Sequence, residues 1–248
     1  MDGYGPETYG ESFADVYDDW YADVSDVDAT VDGVHSLAGG GPVLELGVGT
    51  GRIAIPLAAH GLDVVGVDAS PAMLAQLATK PGSDGVRAVE GDMAAPPVEA
   101  GYFTVAFAAF NTFFNLTDEA AQQRCVASLA VALRAGGRVA IEGFVPPADG
   151  LTDGGISVRK VTATHAVLSV SQHDATAQRI EGQHIDISAA GVVMRPWVLH
   201  YRTPPQLDDL FADHGFVLES RHADWAGTAF NETSDVHVSV YRLELASA

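Results

Sequence analysis

Residues 43–52 read Val43-Leu44-Glu45-Leu46-Gly47-Val48-Gly49-Thr50-Gly51-Arg52, a short apolar run followed by three glycines at alternate positions. The apolar run is typical of a buried strand, and the residues after the glycines continue in a helical pattern. Glycines at such a turn let the backbone bend sharply and let a ligand lie directly against it. The stretch therefore predicts a strand, a tight turn and a helix, with a ligand site at the turn.

The same alternation of apolar runs and helical segments continues after this stretch. Unbroken strands of small apolar residues, separated by helices, indicate a parallel sheet covered on both faces. We therefore predict an α/β fold with a Rossmann-like, doubly wound sheet. Ser70-Pro71 is expected to begin a helix, and Ala135-Gly136-Gly137 to end one. The expected strands are 43–46, 63–67, 86–89, 103–110 and 138–145, and the expected helices are 52–60, 71–79 and 118–133.

The two flanks of this region have different patterns. Aromatic residues recur every three or four positions between Glu7 and Tyr21, which predicts one helix there, and a second helix is expected over 27–37. Between 157 and 202, β-branched segments alternate without a helical period, which predicts a small inserted antiparallel sheet. Its expected strands are 158–164, 166–171, 179–187 and 192–201; a helix over 204–214, capped by Thr203, and strands over 216–225 and 236–245 follow.

Composition narrows the class of protein. The chain has 248 residues, one cysteine (Cys125) and a net charge of −20, from 13 basic and 33 acidic residues. Such a charge would repel a phosphate backbone, so we expect no nucleic-acid partner. No apolar run reaches the ~18 residues that a membrane span needs, and no basic-then-apolar leader opens the chain, so we expect a cytoplasmic protein without a membrane partner.

The acidic charge is concentrated at the start of the chain. Eleven acidic residues and no Lys or Arg precede Arg52. A solvated acidic surface explains this, and so does an acidic entrance that favours cationic ligands. We favour the solvated surface and keep the second interpretation open.

Polar residues follow the second and third strands of the predicted sheet. Asp68 lies 21 positions after Gly47, a separation that suits a carboxylate binding a ribose diol. Asp92 and Met93 follow the third strand and suit an adenine, through a hydrogen bond from its amine and through thioether packing. A nicotinamide dinucleotide site would also have a carboxylate at the position of Asp68. Its third glycine would fall at Arg52, however, so the glycine spacing disfavours it.

Together these motifs resemble the class I S-adenosylmethionine-dependent methyltransferases. The resemblance rests on the glycine turn, Asp68, Gly91-Asp92-Met93, residues 111–113 and residues 133–137, and it covers about residues 13–145. Residues 13–18 resemble the helix that closes over the cofactor in that family. The inserted sheet resembles the small-molecule branch, which includes aminosugar and glycine-type N-methyltransferases. The resemblance implies a seven-stranded sheet whose last strand is antiparallel.

The resemblance also implies roles for individual residues toward S-adenosylmethionine. Gly47, Gly49 and Gly51 would approach the methionine moiety, and Phe110 and Asn111 would line the methyl-donor end. Asp68, with Ala69 beside it, would take the ribose, and Asp92 and Met93 the adenine. Further cofactor-binding or lid candidates are Tyr9, Tyr17, Glu45 and Arg52. The implied division is a helical lid (1–41), a cofactor-binding domain (42–155 and 203–248) and an inserted substrate cover (156–202).

Candidates for the acceptor side are less well defined. The catalytic candidates are Asn115, His200 and Tyr201, of which Asn115 stands where some aminosugar N-methyltransferases have a histidine. Glu142, Trp197 and Trp225 are further candidates. His165, His173 and His184 are expected to be surface or sheet histidines, and Arg195 and Arg202 to pair with acidic residues. No metal site is expected.

We therefore expect a methyltransferase that acts by in-line transfer on a small molecule, with an amine preferred as the acceptor. Methylation of oxygen or carbon remains open. The alternatives from other classes are a nicotinamide-dependent oxidoreductase and a protein that binds the cofactor without turnover. A homodimer is one assembly that the sequence allows.

Overall fold

A computed structural model describes residues 1–22, 24–147 and 150–244 of the chain. Its larger sheet has seven strands: β1 (Val43–Leu46), β2 (Val64–Asp68), β3 (Val86–Glu90), β4 (Phe103–Ala108), β5 (Leu133–Phe144), β10 (Phe216–His222) and β11 (Val236–Leu243). Their order is β10-β11-β5-β4-β1-β2-β3. Strands β1 to β5 run parallel, and β11 is antiparallel to both of its neighbours. The predicted α/β fold is confirmed; Leu245, expected in the last strand, lies outside the described residues.

Helices cover both faces of this sheet: α3 (Val27–Ala38), α4 (Ala54–Ala59), α5 (Pro71–Thr79), α6 (Glu119–Ala132) and α7 (Pro204–Ala212). Helix α5 has its predicted bounds because the Ser70 hydroxyl accepts a hydrogen bond from the Met73 amide (3.2 Å). The predicted stop at 135–137 is wrong in detail. Helix α6 ends at Ala132, and β5 already begins at Leu133, so these residues lie inside the strand.

The N-terminal region differs from its prediction. Instead of one helix over 7–21, it forms α1 (Thr8–Phe13) and α2 (Tyr17–Tyr21). The break falls at residues 14–16, where Asp15 forms an ion pair with Arg195 on the second sheet. The bend lets Phe13 and Tyr21 both bury their rings.

The second sheet is a four-stranded antiparallel meander of β6 (Gly154–Val161), β7 (His165–Asp174), β8 (Arg179–Ser188) and β9 (Gly191–His200). The inserted sheet predicted from the alternating pattern is confirmed. The functional division into lid, cofactor-binding domain and cover stays a prediction.

The core lies on both faces of the larger sheet. Successive strand residues point to opposite faces, so Leu44 and Leu46 pack toward α6 and α7, whereas Val43 packs toward α3 and α4. Cys125 is buried in the first of these layers, and its burial raises the pKa of the thiol. No described helix is long and apolar enough to cross a membrane.

Candidate functional site

A cavity of about 420 Å³ lies where β1 to β4 end, between those strand ends, α1 and α2, and the second sheet. Its size is in the range of small-molecule sites. We call the residues that follow the strands the strand end: Gly47, Gly49, Asp68, Ala69, Asp92, Met93, Phe110, Asn111 and Thr112. We call those of the N-terminal region and of β8 and β9 the lid end: Tyr4, Tyr9, Tyr17, Tyr21, His184, Trp197 and Leu199.

The glycine turn forms the floor of the strand end. Gly47 and Gly49 have positive φ angles of 65° and 54°, a region that side chains disfavour. A Cβ atom on Gly47 would overlap the Thr112 Cγ2 atom. The bare backbone at Gly47 therefore gives the Thr112 side chain room to pack against the turn, and a Cβ atom on Gly49 would meet no atom closer than 3.9 Å.

Asp68 stands at the end of β2 with its carboxylate held by the backbone. Its two oxygens accept hydrogen bonds from the amides of Gly49 (2.8 Å) and Ser70 (2.9 Å). Burial raises the pKa of Asp68, and these hydrogen bonds oppose the rise. Since a carboxylate has about four acceptor positions, both oxygens can still accept hydrogen bonds from a ligand.

Asp92 and Met93 form the neighbouring wall after β3. One oxygen of Asp92 accepts a hydrogen bond from the Ala94 amide (2.8 Å), which fixes the side chain beside the cavity. The thioether of Met93 lines the same wall. This pair offers a hydrogen-bond acceptor next to an apolar surface, as a purine requires.

The backbone is strained at the end of β4. Phe110 and Asn111 have φ angles of 49° and 63°, which cost non-glycine residues on the order of 1–3 kcal/mol each. Two hydrogen bonds hold them: the Phe110 amide donates to the Glu142 carboxylate (2.7 Å), and the Phe144 amide donates to the Asn111 side chain (2.7 Å). Glu142 also accepts from the Trp225 indole N–H (2.9 Å). Glu142 and Trp225 thus support the strand end from behind, in a second cavity of about 290 Å³.

Three predicted cofactor-binding residues do not line the main cavity. Gly51 is packed against Leu77 of α5, so its lack of a side chain serves helix packing. Glu45 is 5% exposed, and its burial raises the pKa of the carboxyl well above its usual range. Arg52 donates a hydrogen bond to the Ser25 hydroxyl (2.6 Å), away from the cavity lining.

Four tyrosines supply most of the aromatic surface at the lid end. The Tyr9 hydroxyl donates to that of Tyr21 (3.1 Å), and the ring of Tyr17 stacks on that of Tyr21 at 4.8 Å. Burial raises the pKa of Tyr4 and of Tyr17 to about 12, so both stay protonated at neutral pH. The aromatic pattern indicated three of these residues, but no sequence signal marked Tyr4.

His184 and Trp197 form the opposite wall of the lid end. His184 is 8% exposed and makes no side-chain hydrogen bond among the described residues. Burial, with a smaller contribution from the Arg159 guanidinium, lowers the pKa of His184 to about 4, so the ring is neutral at pH 7. A Cβ atom on Gly182 would overlap the Trp197 indole, so this glycine lets the indole lie across β8. His184 is a sheet histidine, as expected, but it also faces the cavity.

Of the three catalytic candidates, Asn115 lines the cavity and the other two do not. Trp197 and Leu199 face the cavity, so His200, the next residue of β9, points to the other face. Tyr201 lies past the strand end, and its hydroxyl shares a hydrogen bond with His173 Nε2 (2.9 Å). The structure therefore corrects the expectation that His200 and Tyr201 face the acceptor.

Three acidic residues of the N-terminal region bind groups elsewhere in the fold. Glu11 accepts hydrogen bonds from the Ser70 hydroxyl (2.8 Å) and the Ala72 amide (2.9 Å). Asp18 accepts from the Thr50 hydroxyl (2.6 Å) and pairs with Lys80 (2.6 Å). Asp15 forms two hydrogen bonds with Arg195, at 2.6 and 2.8 Å. These contacts account for part of the acidic N-terminal region without any ligand.

Several cavity residues escaped the sequence prediction. Met73 of α5 and Thr112 lie beside the glycine turn, and residues 116–118 continue the wall after Asn115. Arg124 lines the cavity from α6, and its position in the sequence pattern did not indicate this. No cluster of three or more potential metal ligands occurs in the described parts of the chain.

Comparisons with known proteins agree with this geometry. Residues 43–137 match the methyltransferase domain family. The CcbJ methyltransferase from Streptomyces caelestis is 37% identical, with 98% of this chain and 100% of that chain covered and a TM-score of 0.90. An S-adenosylmethionine-dependent methyltransferase from Clostridium acetobutylicum is 12% identical, with 95% and 99% covered and a TM-score of 0.80. The amino pentose methyltransferase CalS10 from Micromonospora echinaspora is 22% identical, with 92% and 96% covered and a TM-score of 0.67. No curated protein matches the sequence.

Proposed function

Because the chain belongs to the class I S-adenosylmethionine-dependent methyltransferases, we propose that it methylates a nitrogen atom of a small, amine-bearing molecule. The cofactor is S-adenosylmethionine, which supplies an activated methyl group on a positively charged sulfur. This membership argues against the nicotinamide-dependent oxidoreductase that the sequence left open.

The residues at the strand end fit the cofactor. The backbone at Gly49, where a Cβ atom would meet no atom closer than 3.9 Å, leaves room for a ligand lying on the turn. We propose that Gly47 and Gly49 hold the methionine moiety, Asp68 the ribose hydroxyls, and Asp92 with Met93 the adenine. Phe110 and Asn111 would then stand beside the methyl group, which faces the lid end.

The observation that carries the amine proposal is the set of titratable groups at the lid end. Tyr4 and Tyr17 have pKa values raised to about 12, and that of His184 is lowered to about 4. A general base works best when its pKa lies near the operating pH, and none of these three groups meets that condition. Asn115 cannot take up a proton at all.

These three groups therefore favour an acceptor that is nucleophilic without help from a base. A neutral amine has a lone pair ready to attack, whereas a hydroxyl must lose its proton as it reacts. Burial among aromatic rings and a nearby positive charge both favour the neutral form of an amine. Positioning of that lone pair in line with the methyl group would supply much of the rate acceleration.

The test uses isotopically labelled S-adenosylmethionine. The protein is incubated with the labelled cofactor and pools of amine-bearing and hydroxyl-bearing metabolites, and mass spectrometry locates the transferred methyl group. We expect the label on nitrogen, and we expect it to be lost in a matched incubation with Asp68→Ala. Label found only on oxygen or carbon contradicts the amine proposal, and bound cofactor without any labelled product indicates a protein that binds without turnover.

We also propose a cytoplasmic location. The one cysteine of the chain, Cys125, is buried and has no second cysteine with which to form a disulfide within the chain. A reducing compartment is the simplest environment for such a chain.

A further inference from the structure

The second sheet has one face on which apolar side chains are open to solvent. Seven large apolar residues of this sheet are between 39% and 74% exposed, and six of them share one face: Ile156, Val158, Val161, Ile187, Val192 and Met194. Single exposed apolar residues are ordinary on a protein surface, but a contiguous patch marks an interaction site.

The strand register places these six residues on the same face. In antiparallel strands, directly opposed residues share a face, and so do alternate residues of one strand. The register pairs Val158 with Leu168, Leu168 with Ile185, and Ile185 with Met194, which makes a continuous row across the four strands. A parallel row runs from Val161 to Val192, and another from Ile156 to Pro196. Of these twelve positions, Gln183 alone is polar and none is charged.

Much of the other face of the same sheet is covered, although Val193 on that face is 49% exposed. Val167, His184 and Arg195, which alternate with the residues of the open rows, are 2%, 8% and 5% exposed. They face α1, α2 and the cavity. The open rows therefore form a second apolar surface, which stays exposed to solvent in the single chain.

Charge favours a second copy of this chain as the partner. The whole chain carries −20, and two such molecules repel each other over most of their surface. The twelve positions of the open rows, by contrast, carry no charged side chain. Two copies that meet through this sheet avoid the acidic surfaces that would otherwise keep them apart.

We propose that the chain forms a symmetric dimer in which the open faces of the two second sheets pack against each other. A twofold axis through the central row brings the same residues of both copies together, as self-complementary interfaces require. Sheets pack well in this way when their inner faces are apolar. The proposal concerns assembly and does not depend on which molecule is methylated.

The test is sedimentation of the full chain and of two matched variants. Val158, in the central row, and Val131, on the exposed side of α6, are 65% and 64% exposed. Val158→Glu and Val131→Glu therefore make the same chemical change at equal exposure. Analytical ultracentrifugation at micromolar concentration should give the wild type twice the 25.9 kDa mass of the chain.

We expect Val158→Glu to raise the dimer dissociation constant on the order of tenfold or more, and Val131→Glu to leave it unchanged. Circular dichroism and the affinity for S-adenosylmethionine report whether the variants are folded, and Met194→Glu, at the other end of the row, should repeat the effect. A monomeric wild type, or equal dissociation constants for the Val158 and Val131 variants, would overturn the proposal.

Discussion

We propose that Asp68 combines a structural and a binding role in one carboxylate. Its oxygens already accept hydrogen bonds from Gly49 and Ser70, and the proposed ribose contacts use the acceptor positions that remain. Asp68→Asn replaces one acceptor oxygen by a donor, so the side chain can no longer serve the backbone and the ribose together.

We expect Asp68→Asn to weaken S-adenosylmethionine binding by about 1.5–3 kcal/mol, which is the usual value of hydrogen bonds to a charged group. Isothermal titration calorimetry measures this change. Asp84→Asn, in an exposed turn, is the control and should bind like the wild type. An unchanged dissociation constant for Asp68→Asn would remove the ribose assignment.

A substitution at Gly47 tests whether the glycine turn of the strand end binds the cofactor. Gly47→Ala adds a Cβ that overlaps Thr112 and also forces alanine to a φ of 65°, whereas Gly61→Ala meets no atom within 4 Å at a φ of 86°. Both variants should lose about 1–2 kcal/mol of unfolding free energy from the positive φ. We expect Gly47→Ala alone to lose cofactor affinity as well. If the two variants bind S-adenosylmethionine equally, the turn is not the binding surface.

His184 should give a distinct signature in the pH dependence of stability. Its pKa is lowered by burial to about 4 in the folded chain, against an ordinary value near 6.5. The neutral ring therefore contributes stability above pH 6.5, and this contribution is lost as the pH falls from 6.5 through 4. We expect His184→Gln to flatten the fall in unfolding free energy over this range, measured by urea denaturation.

The slope should not vanish, because burial lowers the pKa of His237 to about 4 as well. The exposed His165 supplies the control, and His165→Gln should retain the wild-type slope. A His184→Gln slope equal to that of the wild type would show that the ring is not held neutral by the fold.

At the scale of elements, an ion pair between Asp15 and Arg195 connects the N-terminal region to the second sheet. The Arg195 guanidinium lowers the pKa of Asp15, so this contact stabilises the fold above the unfolded pKa near 3.9 and is lost as the pH falls through the lower folded value. Asp15→Asn leaves the buried guanidinium without its charged partner. Because Asp15 itself is 66% exposed on its side chain, we expect a loss of only about 1–2 kcal/mol at pH 7.

Urea denaturation at pH 7 and at pH 2.5 checks this expectation. The difference between Asp15→Asn and the wild type should shrink at the lower pH. Asp19→Asn, on α2, has no ion pair among the described contacts and should differ little from the wild type at either pH. A difference for Asp15→Asn that is independent of pH would contradict an electrostatic role.

The elements themselves were more predictable than their orientation. Local signals fixed α5, where Ser70 and Pro71 begin the helix, and the period of two revealed the inserted sheet. The break between α1 and α2 was not predictable from local pattern; it coincides with the contact of Asp15 to Arg195, some 180 residues further along the chain. His200 was assigned to the wrong side for a similar reason: a pattern locates a strand, but packing decides which of its faces meets the cavity. Tyr4 joins the site through tertiary structure alone.

At the scale of the whole molecule, two surfaces of the second sheet have different uses. One closes the cavity and supplies Trp197 and His184, and the other carries the apolar rows proposed to join two copies. The distribution of acidic residues fits both uses. Some of them hold the N-terminal region against the rest of the fold, and few of them lie in the second sheet. The proposed methyl transfer depends on the strand end, whose residues belong to the same motifs that predicted the fold.

The most direct test is a crystal structure of the protein with S-adenosylhomocysteine, the product that remains after methyl transfer. We predict that the nucleoside occupies the 420 Å³ cavity, with its ribose at Asp68, its adenine at Met93 and its sulfur facing Trp197 and His184. A nucleoside bound elsewhere, for example in the second cavity beside Trp225, or a cavity that stays empty at saturating ligand, would contradict the account.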